Sequence, residues 1–394
     1  MSWALISDSS CNLRDWQPTA PHTTFAFAPL KIRVGEREFV DDLSLDVHEL
    51  NCAVQAETNA SSSACPSVGE WAELFKLADK TICMPISEGV SGSYNAAATA
   101  RDMVLAEEPD RQIHLVNSRA AGGKMDLIFL LFDRYLASNP DVSFEDACAY
   151  FDSLEQNSKI LFSLCNYENL AKAGRIPKAA GVIANKLNIR ILGTASEAGK
   201  IELVGHTRGE KKMLNKIIDT MEAEGFTGGE VIIDHVEIEA GAQALTDRIV
   251  EHWPGSKTII MPCNGLDSYY AEMHGLIIGY GMSLDVKEVP TAVVLEDSSP
   301  FAREAVRFTQ GSEYFAPVYV TSLSEGEAML RRHDINAVLY TSRHGELERN
   351  YRILHALATG QALSPTDFAL SVHNSAVGNL TIAAKKPIVS SSLS

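Results

Sequence analysis

A short apolar run, then hydroxyl or amide residues, then a helical pattern recurs through the first half of the chain. The runs are ALISDSS at 4 to 10, TICMPIS at 81 to 87 with a helix after it, and QIHLVNS at 112 to 118 with a helix beginning near Gly122. Strand followed by helix, repeated, predicts a parallel sheet with helices on its faces. In open α/β sheets the ligand crevice lies at the carboxyl ends of the strands. Here those ends carry Asp8, Ser9 and Ser10, then Ser87 through Ser93, then Asn117 and Ser118. Thr81 to Ile86 reads as a buried strand and Asn95 to Ala106 as a helix of strong formers. Ser91, Gly92 and Ser93 therefore fall at a helix N-terminus, where free N–H groups and hydroxyls converge and attract an anion.

From about residue 160 the pattern changes. LCNYENLAKAGRIPKAAGVIANKLN, 164 to 188, reads as helix interrupted at Gly174, and IRILGTASEAGKIELVGHTR, 189 to 208, as a hairpin turning around Glu197 to Lys200. A helix over Lys211 to Glu224 and a strand EVIIDHV follow, and the last unit of this region ends near Met282. The expectation is an α/β chain: an N-terminal domain over 1–160 with a parallel sheet and flanking helices, a second α+β domain over 161–282, and a poorly defined α/β extension over 283–394.

The net charge of −17 argues against a general role on nucleic acid or anionic lipid surfaces, both of which need clustered Lys and Arg. The longest unbroken aliphatic and aromatic stretch, LIFLLF at 127 to 132, is far short of the roughly 20 residues of a membrane span. MSWALISDSS has no basic residue ahead of its apolar run, so no signal peptide is expected and the chain reads as soluble and cytoplasmic. Seven cysteines are scattered without a CxxC pair, which suits small buried hydrophobes in a reducing compartment and no zinc site.

Familiar catalytic patterns are missing. GVSGS at 89 to 93 fails the G-x-S-x-G elbow because Ser93 stands at its last glycine, and neither a P-loop nor an HExxH is found. Asp8 suits a metal or phosphoaspartate corner, or equally a carboxylate that caps backbone N–H groups. Ser63, ahead of Pro66 and a predicted helix from Val68, reads on its own as a cap.

Taken in order, the SDSS corner, APLKIRVGEREFVDD (28–42), SACPS (63–67), ISEGVSGSYNAA (86–97), VNS (116–118), ENLAKAGRI (168–176), NIRILGTASEAGKI (188–201) and Arg208 resemble the DegV family over about 1–282. The resemblance implies two domains holding one long-chain fatty acid between them. It also implies a non-catalytic protein, without cofactor or metal, that presents the carboxylate to a separate fatty acid kinase for acyl-phosphate formation. By motif match the carboxylate contacts fall on Ser63, where threonine is usual, on Ser91 with Ser93 beside it, and on Arg175. Two places depart from the family pattern. SACPS has alanine and cysteine where serine and glutamine are usual, and Tyr270 stands at the usual histidine, with Glu272, Met273 and His274 over a Gly-Pro-Gly. One well-placed guanidinium among hydroxyls suits a single carboxylate better than a phosphate.

The extension reads differently. AVVLEDSSPFAREAV resembles the start of a receiver domain with Glu296 and Asp297 as its acidic corner, but Tyr340 and Thr341 stand where a phosphorylated aspartate is expected. AVLYTSRHGELERN and ALSPTDFALSVHNSAVGNLTIAA resemble the amino-terminal half of a ketosynthase-like protein, with His344 and His373 in the motif. No cysteine follows Cys263, so a ketosynthase nucleophile is not present in the chain. Acyl-chain synthesis or regulation through this tail is the alternative function.

Overall fold

In a computed structural model, residues 2–57, 61–176 and 189–281 are described, together with strands and short pieces of the extension. The chain divides into two compact units, Met1–Met282 and Ser283–Ser394.

Within the first unit, β1 (Trp3–Asp8), β2 (Thr23–Ala28), β6 (Lys80–Cys83) and β7 (Gln112–Leu115) form a parallel sheet in the order β2-β1-β6-β7. Every residue of β1 is buried, so both faces of the sheet are covered, as parallel sheets require. Helices α2 (Val68–Phe75) and α3 (Ser93–Glu107) cover one face, with Trp71, Phe75, Ala97 and Ala100 packed on Ala4 and Ile6. Ser67 caps α2 in a reciprocal capping box with Glu70. A small antiparallel sheet of β3 (Lys31–Val34), β4 (Arg37–Val40) and β5 (Ser61–Ala64) lies beside them, its hairpin turned at Gly35 with φ 60°.

A second, six-stranded sheet has the order β10-β9-β8-β13-β11-β12, with β8 at Ser158–Leu164, β9 at Ile189–Ala195, β10 at Ile201–Arg208, β11 at Glu230–His235, β12 at Lys257–Pro262 and β13 at Leu276–Gly281. Its pairs are antiparallel except β11 with β12. Helices α7 (Glu210–Ala223) and α8 (Glu239–His252) seal one face through Met213, Ile217, Leu245 and Ile249.

The other face meets α4 (Gly123–Ser138), which is wedged between the two sheets. This explains LIFLLF: Met125, Ile128, Phe129 and Phe132 join one core with Leu5 and Ile82 of the first sheet and Ile160 and Phe162 of the second. Helix α5 (Phe144–Asn157) adds Phe151 and Leu154 to it. Each such side chain contributes roughly 1.5–3 kcal/mol when fully buried. The closest approach is at Gly279, where an added Cβ would lie 2.0–2.2 Å from the backbone of Gly123 and Lys124.

The predicted hairpin, and the helix and strand after it, are found within a residue or two. The predicted helix from residue 164 is not: Leu164 ends β8, and only Glu168–Lys172 is helical, as α6. The prediction overlaps the strand by one residue, and Gly174, at φ 71°, stops the short helix that follows. Residues 177–188 of that prediction lie outside the described residues.

The second unit contains β14 (Val289–Leu295), β15 (Phe315–Val320), β16 (Ala337–Thr341) and β17 (Thr381–Ile382), in the order β15-β14-β16-β17, the first three mutually parallel. Tyr340 and Thr341 end β16, whereas Glu296, Asp297, His344 and His373 lie outside the described residues. Among the described residues no helix is long and apolar enough to cross a membrane.

Candidate functional site

Asp8, at the carboxyl end of β1, is fully buried and serves the chain rather than a ligand. One oxygen accepts from the N–H and hydroxyl of Ser10, and the other accepts from Ile86 N at 3.1 Å and from the Ser93 hydroxyl. Burial raises its pKa, and these hydrogen bonds oppose the rise. The carboxylate thus ties β1 to the loop after β6 and to the first turn of α3, which settles the capping reading. Among the described residues no three His, Cys, Asp or Glu side chains are arranged to hold a metal ion.

The same contact corrects Ser93. Its side chain is buried at 0% exposure on Asp8 and is not part of the cavity lining. One residue earlier the geometry opens. Gly92 begins α3 with no side-chain cap, and the Ser91 hydroxyl accepts from Ser93 N at 3.2 Å. Ser91 and Gly92 both face a cavity of about 360 Å³ between the two sheets, within the size range of ligand pockets.

Ser63 reaches the same place on β5. Its hydroxyl is 2.9 Å from that of Tyr270, and the Ser61 hydroxyl is 2.7 Å from that of Tyr269. Alternate residues of a strand share a face, so consecutive tyrosines on α9 (Gly265–Ala271) meet Ser61 and Ser63 as a pair.

Arg175 arrives by a different device. Gly174, at φ 71°, ends α6; its N–H donates to Ala171 O, and Arg175 N donates to Leu170 O. That is a Schellman closure, and it turns the chain so that the exposed guanidinium donates to the carbonyls of Val90 and, at 3.0 Å, Ala173. Val90 precedes Ser91, so the cation sits beside the start of α3. The structure therefore brings Ser63, Ser91, Arg175 and Tyr270 into one cavity wall. The opposite wall is apolar: Ile160, Phe162 and Leu164 of β8, with Ile201 and Ile277.

Two features escaped sequence reasoning. The β9–β10 turn closes one side of the cavity: the Ser87 hydroxyl donates to Gly199 O at 2.7 Å, and an added Cβ on Gly199 or Gly89 would lie under 3 Å from the other segment. Paired glycines facing each other were the signal, visible only once the segments meet. The second is a buried acidic cluster joining the two lobes. Asn12 donates to Asp234 at 2.8 Å and to Asp267 at 3.1 Å, and Asn12 N donates to Asp126 at 2.7 Å, while Asp126 Oδ2 and Asp234 Oδ1 are buried without a hydrogen-bond partner among the described residues. Burial is the main cause in all three acids, pushing Asp126 up to about 6 and Asp234 and Asp267 well above the carboxylate range. Asp41 receives Gly265 N and Leu266 N, each at 2.8 Å, and so caps α9 from across the interface. Nearby, burial also pushes Glu272 up to about 7, where it accepts from Asn166 and from Asn169 N at 3.0 Å.

A sequence profile for the DegV family, described as "Uncharacterised protein, DegV family", matches residues 2–269. The chain belongs to the DegV family. DegV domain-containing proteins of Streptococcus pneumoniae strain R6 and Streptococcus pyogenes serotype M3 are 36% and 34% identical over 280 residues, 71% of this chain and 99% of each relative. Two solved DegV-like structures resemble it over 72% of this chain and 100% of theirs. One is the Streptococcus pneumoniae fatty acid kinase (Fak) B3 protein loaded with linoleic acid, with TM-score 0.69 and 36% identity. The other is a DegV family protein from Eubacterium eligens loaded with heptadecanoic acid, with TM-score 0.67 and 31% identity. A separate profile, the N-terminal domain of beta-ketoacyl synthase, matches residues 321–394, beyond the DegV region.

Proposed function

We propose that this DegV-family chain binds one long-chain fatty acid between its two sheets and presents the carboxylate to a fatty acid kinase, without itself catalysing acyl-phosphate formation. The observation that carries the reading is the convergence of Ser63, Ser91, Tyr270 and Arg175 on one wall of an otherwise apolar cavity, at a helix start with no side-chain cap. The start of α3, hydroxyls and one guanidinium favour a single negative charge. Affinity comes mainly from the tail: burying about 16 carbons at roughly 0.8 kcal/mol each amounts to about 12 kcal/mol before ordering costs. The head-group contacts then orient the acid and exclude neutral lipids. The fatty acids named for the two DegV relatives support the ligand class, and the name of one supports a kinase partner.

Mass spectrometry of lipid extracted from the native protein should detect long-chain free fatty acid. Ser91→Ala and Arg175→Ala should each weaken acid binding by about tenfold, the worth of one charge-assisted hydrogen bond. Unchanged binding in both variants rejects the proposed head-group site.

A further inference from the structure

The apolar wall contains one arrangement that bears on which tails fit. Phe162 lies on β8 between two cross-strand neighbours, Ile277 on β13 and Gly193 on β9. Both Phe162 and Ile277 line the cavity. On the Gly193 side no side chain intervenes: a Cβ placed there would fall 2.3 Å from Cε2 and Cζ of the Phe162 ring. Those two atoms are the far edge of the ring. The ring is therefore laid down across the backbone of β9, and its distal edge occupies the place a side chain at 193 would take. Gly193 needs no glycine for backbone conformation, since its φ is not in the left-handed region. Its missing side chain is what lets the ring lie flat.

We propose that Phe162 and Gly193 act as a pair that sets the cross-section of the cavity and hence the length and shape of the acyl tail this chain accepts. This rests on the fatty-acid reading above and adds the selection within that class. With the ring down, the channel is at its widest for a phenylalanine at this position. A methyl group at 193 forces the ring up into the tail's path, and truncation of the ring lengthens the space by several methylenes. Each extra methylene buried changes affinity roughly fourfold, so such a step reshapes a competition among fatty acids.

The test incubates the full chain with an equimolar mixture of saturated and cis-monounsaturated free fatty acids from dodecanoic to eicosanoic acid and quantifies the retained acids by mass spectrometry. Phe162→Ala should move the retained profile at least two methylenes longer, with roughly a tenfold rise in the ratio of the longest to the middle chains. Phe162→Leu should move it less, and Gly193→Ala should move it shorter. In Phe162→Ala/Gly193→Ala the effect of the added methyl should vanish, because the ring it displaces is gone. The methyl at 193 also approaches Glu202 O to 2.9 Å; should that variant not fold, Phe162→Ala and Phe162→Leu decide. A folded Phe162→Ala that retains the wild-type profile overturns this inference while leaving fatty-acid binding intact. A wild-type chain that retains no fatty acid from the mixture overturns the binding reading and this one together.

Discussion

Arg175 reaches the cavity because Gly174 lets the chain double back. At φ 71° an L side chain crowds its own carbonyl, at a cost of roughly 1–2 kcal/mol, and an added Cβ would meet no atom of the described residues within 4 Å. The strain is thus purely conformational, which orders the substitutions. Gly174→Asn should behave nearly like wild type, because asparagine tolerates this region. Gly174→Ala should lose about 1 kcal/mol in chemical denaturation, and Gly174→Val more. Fatty-acid affinity should fall in the same order, because the guanidinium is carried by this turn; a binding titration on the three variants checks it. The proposed head-group residues are legible to different degrees. Ser91 is legible locally, as a hydroxyl at a helix start, whereas Ser63 reads on its own as a cap and, like Arg175, is singled out only by the family resemblance. Ser93 misled because sequence shows that a hydroxyl stands at the helix start and not that Asp8, 85 positions away, already holds it.

At the level of elements, α4 meets β13 backbone to backbone. At Gly279 a methyl group would fall on the carbonyl carbon and oxygen of Gly123 and on Lys124 N, and no rotamer change can move those atoms. Gly279→Ala should therefore cost about 3 kcal/mol or more, at the upper end of overpacking. Gly281→Ala, two residues along the same strand, meets nothing among the described residues nearer than Ser158 Oγ at 3.1 Å and should cost far less. Thermal unfolding of the two variants gives the comparison. Elements whose signals are local were readable: α3 and α7 from helix-forming runs, the β9–β10 hairpin from its turn, α2 from the residues after Pro66. Even there the true cap of α2 is Ser67, whose S-x-x-E pairing with Glu70 is a stronger sign than the serine at 63. Strand β8 has no counterpart among the predicted elements, and its place in the sheet is set by β9 and β13, which pair with it.

Across the whole molecule, the acids at 126, 234 and 267 are distant in sequence and are collected only when the loop after β1 meets β11 and α9, so no local pattern announces them. Their consequence is a pH dependence with a definite sign. Asp126 is pushed up to about 6 and Glu272 to about 7, both mainly by burial, so between pH 4 and 7 the folded chain holds protons that the unfolded chain has released. Stability from these groups is complete below the ordinary carboxylate range and is lost as pH rises through about 6 and then about 7. For Asp126 alone the loss is about 3 kcal/mol, two pKa units at 1.36 kcal/mol each. Thermal unfolding should thus show a higher Tm at pH 5 than at pH 8. Asp126→Asn keeps an acceptor for Asn12 N and should remove roughly a third of that difference, because Glu272, pushed up to about 7, carries the rest. The net charge of −17 pushes in the same direction through surface repulsion, but salt separates the two. Added sodium chloride screens exposed charges within a Debye length and leaves a buried carboxyl cluster nearly untouched. A pH slope that persists in high salt, shrinks in Asp126→Asn and disappears in Asp126→Asn/Glu272→Gln locates its source in these buried carboxyls; a slope abolished by salt alone would place it on the surface instead.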